Sequence, residues 1–150
     1  MRVIIQRVSE ASVVSDGVLT GHIGKGFLIL LGIETRDDRK DVEWLVKKIT
    51  GMRIFQDEND KMNLSIQDIK GAFLVVSQFT LFASMKKGNR PSFIYAARPE
   101  QAVPLYEYFI ESLRTSSGLP VDTGIFGADM KISLVNDGPV TIILDSRNPE

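Results

Sequence analysis

Apolar, β-branched residues alternate with polar ones through the first part of the chain. Arg2 to Ser15, RVIIQRVSEASVVS, and Val18 to Glu34, VLTGHIGKGFLILLGIE, predict strands, with turn signals at Asp16-Gly17 and Gly24-Lys25-Gly26. The spacing then becomes helical. In DDRKDVEWLVKKITG, Val42, Leu45, Val46 and Ile49 fall at i, i+3, i+4 and i+7, acids precede them, lysines follow and Gly51 ends the segment. Ala102, Leu105, Tyr106, Phe109, Ile110 and Leu113 repeat that spacing and predict a second helix, closed by Gly118-Leu119-Pro120. Between the helices GAFLVVSQFTLFA reads as one buried strand, and two or three further strands follow the second helix. Strands in blocks with two separated helices predict a single α+β domain, mainly antiparallel.

Near the C-terminus, in KISLVNDGPVTIILD, two alternating apolar runs flank Asn136-Asp137-Gly138-Pro139. Asp-Gly between such runs predicts a hairpin turn, because glycine takes positive φ at no steric cost. Pro139 fits a ladder poorly. It has no N–H and restricts the residue before it, so it must begin an edge strand or sit in a bulge. Only about 5–6% of X–Pro bonds in folded proteins are cis, so the pattern alone favours trans.

A chain of 150 residues, 43% hydrophobic and 25% charged, suits one domain that buries roughly two-thirds of its unfolded surface. No apolar stretch reaches the ~18 residues that span a bilayer. The start MRVIIQRVSE lacks the apolar core and cleavage site of a signal peptide. A cytosolic protein without a membrane partner is expected. The absence of cysteine excludes disulfides, thiolate nucleophiles and Cys-based zinc sites. A net charge of −1 is not the footprint of a protein that grips long stretches of phosphate.

Conventional side-chain chemistry has little to stand on. His22 is the sole histidine, with no Glu or second His at metal-binding spacing, and reads as a strand histidine rather than a zinc ligand. GHIGKG lacks Walker spacing, so Gly24 and Gly26 read as a turn. A Ser-His-Asp triad would have to recruit His22 with Ser77 or Ser92 from remote segments, and no Gly-x-Ser-x-Gly elbow exists. Asp37-Asp38 and Asp57-Glu58 fall at a helix start and in a polar loop, where caps and solvated faces are the usual explanation. A metal-dependent hydrolase therefore has no ligand set, and no cofactor is implied.

Polarity where burial is expected is the unusual feature. Ser77, Gln78 and Thr80 follow the apolar run Ala72 to Val76 without a turn residue, and their polar groups need partners if buried. They form either a pocket wall or the solvated tips of a strand at a sheet rim. MKKGNRPSF, Met85 to Phe93, is either a solvated turn or a phosphate-contacting loop in which Arg90 forks onto an oxygen pair. On these residues alone, a non-enzymatic β-barrel interaction module competes with an enzyme.

SQFTLFA at 77–83, KKGNRPSF at 86–93, FGADMKISLVNDGPVTI at 126–142 and QRVSEASV at 6–13 resemble the D-aminoacyl-tRNA deacylases, and the likeness covers the whole chain. The family's Ser-Gln-x-Thr-Leu signature continues to an aromatic residue, often tyrosine, so Phe82 departs by one hydroxyl. The resemblance implies a homodimer of compact β-barrel-like subunits with two helices. It implies hydrolysis of the ester that joins a D-amino acid to the 3′-terminal adenosine of tRNA. It further implies a cis Gly138-Pro139 bond reaching from one subunit into the active site of the other, a pocket floor of Ser77, Gln78, Phe79 and Thr80, and Arg7 holding the Gly-Pro loop. Twofold symmetry then gives two equivalent sites, each incomplete in a monomer.

An aminoacyl ester is an activated acyl group, so positioning and donors aimed at the developing oxyanion suffice for a sparse site. The backbone N–H groups of Phe79 and Thr80 are the expected donors, with Ser77 and Gln78 bracing the loop or the adenosine. The Thr80 hydroxyl lacks an adjacent base, which favours water activated by a neighbouring ribose 2′-hydroxyl. A backbone wall against Cα rejects every L side chain, admits D side chains and lets achiral glycine through, so glycyl-tRNA is an expected second substrate. Lys86, Lys87 and Arg90 form the best patch for the acceptor end, where a few cations are enough.

Overall fold

The computed structural model describes residues 1–149. Its strands are β1 (Arg2–Ser15), β2 (Val18–Ile23), β3 (Gly26–Gly32), β4 (Phe55–Gln56), β5 (Met62–Leu64), β6 (Ala72–Ser77), β7 (Val121–Thr123) and β8 (Met130–Asp145). Helix α1 (Arg39–Gly51) lies between β3 and β4, and α2 (Pro99–Ser117) between β6 and β7. Helix α1 begins where the Asp38 carboxylate accepts the Lys40 N–H and the Asp41 carboxylate accepts the Asp38 N–H, a reciprocal capping box. Helix α2 starts on Pro99 and ends at Gly118, whose φ of 68° is left-handed and whose N–H bonds the Arg114 carbonyl at 2.9 Å.

The main sheet is mixed, mainly antiparallel but with a parallel part. β1 runs antiparallel to β2, β3 and β8, whereas β3 pairs β6 and β6 pairs β7 in parallel. GFLILLG and AFLVVS are nearly continuous apolar runs, the composition of strands buried on both faces. Each parallel step also carries a helix, and such a crossover returns the chain in its original direction. Phe27, Ile29, Leu31, Phe73 and Val75 pack with the buried faces of α1 and α2. Leu28, Leu74 and Val76 face the other way, onto Val8, Ala11, Val13 and Ile23. The sheet curls until its edges meet. The His22 N–H donates to Asp122 Oδ2 at 2.8 Å, and a Cβ at Gly21 would lie 3.1 Å from the Thr123 carbonyl, so β2 nearly closes onto β7.

Three local expectations are corrected. The run after Gly71 is not one strand: β6 ends at Ser77, and Phe79–Phe82 forms a 3₁₀ turn. β3 stops at Gly32, so once the Gln78 N–H has bonded the Leu31 carbonyl the ladder has no further partner. Asn136-Asp137-Gly138-Pro139 is not a hairpin. Both flanking runs belong to β8 and pair with the same strand, Gln6 opposite Thr141 and Val8 opposite Asn136, so residues 137–140 are extruded as a loop. β1, at 14 residues, is long enough to partner both runs. Asp38 caps α1, but Asp37 is buried rather than solvated. It accepts the Met1 ammonium at 2.6 Å and the Glu34 N–H at 2.7 Å, and burial still leaves its pKa raised. No helix among the described residues is long and apolar enough to cross a membrane.

β3 and β6 meet at Gly26, where a Cβ would lie 1.8 Å from the Ala72 carbonyl oxygen. Gly26→Ala should therefore destabilise the fold by roughly 1–3 kcal/mol or more. Gly24→Ala, which meets nothing within 4 Å, should stay within about 0.5 kcal/mol of the parent. Urea unfolding of both variants checks the contrast, and equal midpoints would contradict it.

Candidate active site

Side-chain parity along β1 changes once. Val3 and Ile5 point to the helix-side core, Val8, Ala11 and Val13 to the other cluster. The change comes after Val8, at the second of two slips in the β1–β8 register, which fall between Gln6 and Val8 and between Val8 and Glu10. A bulge of this kind re-aims side chains. Arg7 lies before the change, on the face of Val3 and Ile5, and is buried there, where its Nη1 donates to the Ile54 carbonyl at 2.6 Å and its Nε donates to the Asp137 carbonyl at 2.9 Å. The extruded loop is clasped by Asn136. Its Oδ1 accepts the Val140 N–H at 2.7 Å, and its Nδ2 donates to Thr141 Oγ1 at 3.1 Å. Gly138 has φ of 142° and precedes a cis bond to Pro139. A Cβ there would meet Val140 Cγ2 at 2.7 Å and Arg7 Nη2 at 3.1 Å, so only glycine fits.

A cleft of about 260 Å³ opens where β3 and β6 end. Ser77, Gln78 and Phe79 form one wall, Leu31 and Ile33 another, and Phe126 and Met130 a third. Phe79 is 55% exposed and meets Phe93 edge-on, ring centroids 5.0 Å apart. Gln78 Nε2 donates to Thr80 Oγ1. The N–H groups of Phe79 and Thr80, at the start of the 3₁₀ turn, have no acceptor among the described residues. None of the lining residues is ionisable. Behind Phe126 lies Tyr106, centroids 5.5 Å apart, whose pKa burial pushes up to about 12, so its phenol stays protonated at neutral pH. His22 lines a different depression, with Glu10 and Ser133. Among the described residues no three His, Asp or Glu side chains gather to hold a metal.

The D-Tyr-tRNA(Tyr) deacylase family model matches residues 4–145. The chain belongs to this family. Membership makes it a hydrolase. The D-aminoacyl-tRNA deacylase of Flavobacterium johnsoniae is 61% identical over 150 residues, the whole of both chains. That of Bacteroides fragilis is 59% identical over the same span. Among solved structures, the c-Myc DNA Unwinding Element Binding Protein is 42% identical with a TM-score of 0.90, covering 97% of this chain and 98% of its own. A probable eukaryotic D-amino acid tRNA deacylase, 18% identical, has a TM-score of 0.81 over 95% of this chain and 97% of its own, which shows a shared fold.

Within the single chain the expected site residues do not all come together. Ser77, Gln78 and Phe79 line the cleft, and Thr80 follows them, exposed. Gly138 and Pro139 are exposed on the extruded loop and are not in that lining, nor is Arg7. Lys86, Lys87 and Arg90 are exposed on a loop closed by paired Ser84–Ser92 backbone bonds of 2.8 and 2.9 Å. Phe93, one residue beyond that closure, ties the basic loop to Phe79. Sequence reasoning missed the Phe126–Met130 wall and the Asn136 clasp. The alternation of Met130, Ile132 and Leu134 was the legible signal for the wall. The clasp had none, because it depends on a loop shape that exists only when both runs of β8 pair with β1.

Asn136→Ala should cost the deacylase about 1 kcal/mol and speed amide exchange at Val140. Arg7→Met, which strips donors from the Ile54 and Asp137 carbonyls, should cost roughly 2–4 kcal/mol. Denaturant unfolding with site-resolved hydrogen exchange measures both. Undiminished protection of Val140 in Asn136→Ala would show that other contacts hold the loop.

Proposed function

We propose that the chain hydrolyses the ester of D-aminoacyl-tRNA, freeing the D-amino acid and tRNA, and that it works as a homodimer with each site completed by the partner's Gly138-Pro139 loop. The observation that carries this reading is the cleft at Ser77–Phe79, which has no ionisable side chain in its lining and adjoins the acceptor-free N–H groups of Phe79 and Thr80, in a chain of the deacylase family. Water adds to the ester carbonyl, the Phe79 and Thr80 N–H groups hold the developing oxyanion, and the C–O bond to the ribose 3′-oxygen breaks as that oxygen takes a proton. The adjacent 2′-hydroxyl activates the water, since Thr80 Oγ1 is held by the Gln78 amide and has no neighbouring base.

The partner's part is supported by the shape of β8. Among the described residues it pairs only with β1, leaving its other edge open. Its alternate residues Met130, Ile132 and Leu134 are half-buried, while Val135 and Ile143 are 49% and 62% exposed. The extruded loop stands on this strand, with its backbone held by Arg7 and Asn136. A backbone wall set against the substrate Cα carries no side-chain identity, so it turns away L-residues as a class and passes glycine.

Matched D- and L-tyrosyl-tRNA, together with glycyl-tRNA, should be deacylated in the order D well above L, with measurable glycyl cleavage, and a chelator should leave these rates unchanged. Equal D and L rates would overturn the chirality filter. No turnover on any of them would return the chain to an interaction module. Thr80→Val should retain substantial hydrolysis because its hydroxyl is not the nucleophile; complete loss in a folded variant that still binds tRNA would contradict that role. Arg90→Ala should weaken tRNA binding to a similar degree whichever amino acid is attached, and flatten its salt dependence by about 0.7 in log–log slope for each phosphate the guanidinium neutralises. A slope equal to that of the parent would remove Arg90 from the interface.

A further inference from the structure

The 3₁₀ turn Phe79–Phe82 separates two depressions. Phe79 lines the cleft described above, and Phe82 lines a second one, of about 470 Å³. Three residues of 3₁₀ rise put them about 6 Å apart along the turn, within reach of the sugar-phosphate chain of a neighbouring nucleotide. The second cleft is cationic in a chain whose net charge is −1: Arg2, Arg36, Lys86 and Arg147 line it against Glu34 and Asp145.

These charges differ in what they are free to do. Arg2 is committed to the fold, with Nε and Nη2 on Asp145 Oδ2 at 3.0 and 2.9 Å, Nη1 on the Leu81 carbonyl at 2.7 Å, and its guanidinium 4.8 Å from the Phe82 ring centroid. Arg147 is likewise engaged, with Asp41 at 3.2 Å and with the Arg36 carbonyl. Arg36 is 73% exposed, and one nitrogen, Nη2, donates to both Glu34 carboxylate oxygens at 3.3 and 3.4 Å, which leaves Nε and Nη1 without an acceptor among the described residues. Lys86 makes no ion pair among the described residues. Tyr95, 49% exposed, also lines the cleft on a pinned backbone: its carbonyl accepts the Thr35 N–H at 3.0 Å, and two residues on the Ala97 N–H bonds the Ile33 carbonyl at 2.9 Å. A half-exposed ring on rigid backbone beside exposed cations with donors to spare is the arrangement that holds single-stranded nucleic acid, by base stacking and phosphate contact.

We infer that this second cleft takes the unpaired nucleotides that precede the terminal adenosine of the tRNA, with Arg36 and Lys86 on phosphate and Tyr95 under a base. The inference rests on the functional reading above, with the ester in the first cleft. It makes the 3₁₀ turn a ridge over which the acceptor strand passes, and it reconciles an acidic chain with an RNA substrate by confining the cations to a short single-stranded segment.

The test compares D-tyrosyl-tRNA with D-tyrosyl-adenosine, which carries the same ester and adenosine but no preceding phosphates. Arg36→Glu and Tyr95→Ala should each lower kcat/KM on the tRNA about tenfold relative to kcat/KM on the adenosine ester. Arg36→Glu should also flatten the salt dependence on tRNA by about 0.7 in log–log slope for each phosphate that Arg36 neutralises, and Arg36→Lys should restore it. Equal losses on both substrates, or an unchanged salt slope with Arg36→Glu, would overturn the inference and leave the cleft to a protein or peptide ligand. If the parent protein cleaves neither ester, the functional reading falls and this one with it. Cleavage of both at an unchanged ratio in the variants removes this inference alone.

Discussion

The interrupted pairing of β1 with β8 is the constraint on which the rest of the molecule turns. Around Arg7 the register slips twice, β1 exchanges the face it buries just after Val8, and the opposing strand throws out residues 137–140. A guanidinium in that position is costly to desolvate unless its donors find acceptors. Arg7 finds two backbone carbonyls, and the Asp137 carboxylate approaches to 4.0 Å. The same side chain that is satisfied by the Asp137 carbonyl thereby fixes the root of the Gly138-Pro139 loop. Fold and loop share one interaction, so the loop backbone is anchored directly to the core strand beneath it.

The cleft at the ends of β3 and β6 follows from the mixed sheet. Parallel strands flanked by helix crossovers end together on one side, and the chain leaving β6 finds no ladder partner beyond Leu31. It folds into a 3₁₀ turn whose first N–H groups are left without acceptors beside a space lined by apolar side chains. Such donors act strongly where water is scarce. No histidine, thiol or carboxylate lines this cleft, so under the proposed reading an activated ester would have to be cleaved by positioning and backbone donors.

Parts of this were readable from the chain. The two helices were evident from apolar spacing, with the pair Asp37-Asp38 at the start of the first, of which Asp38 is the cap, and Gly118 at the end of the second. The polar residues Ser77 and Gln78 after an apolar run left a pocket wall and a solvated rim both open, and the fold places them in the lining of the cleft. The parallel pairing was less visible, because GFLILLG and AFLVVS look alike whether their neighbours run with or against them. The hairpin reading of Asn136 to Pro139 failed for a related reason. Turn propensity is local, whereas the choice between folding back and continuing along β1 was made by a strand some 130 residues earlier in the chain.

The sequence by itself determined the periodicities, the helix limits, the absence of thiol chemistry and the motif residues that mark the family. Each depends on neighbours a few residues away. Tertiary structure alone decided strand direction, the burial of Asp37 and Arg7, the unused N–H groups of the 3₁₀ turn and the cationic cleft beside Phe82. Those features arise where segments distant in sequence compete for the same hydrogen-bonding groups, and no local pattern records which partner wins.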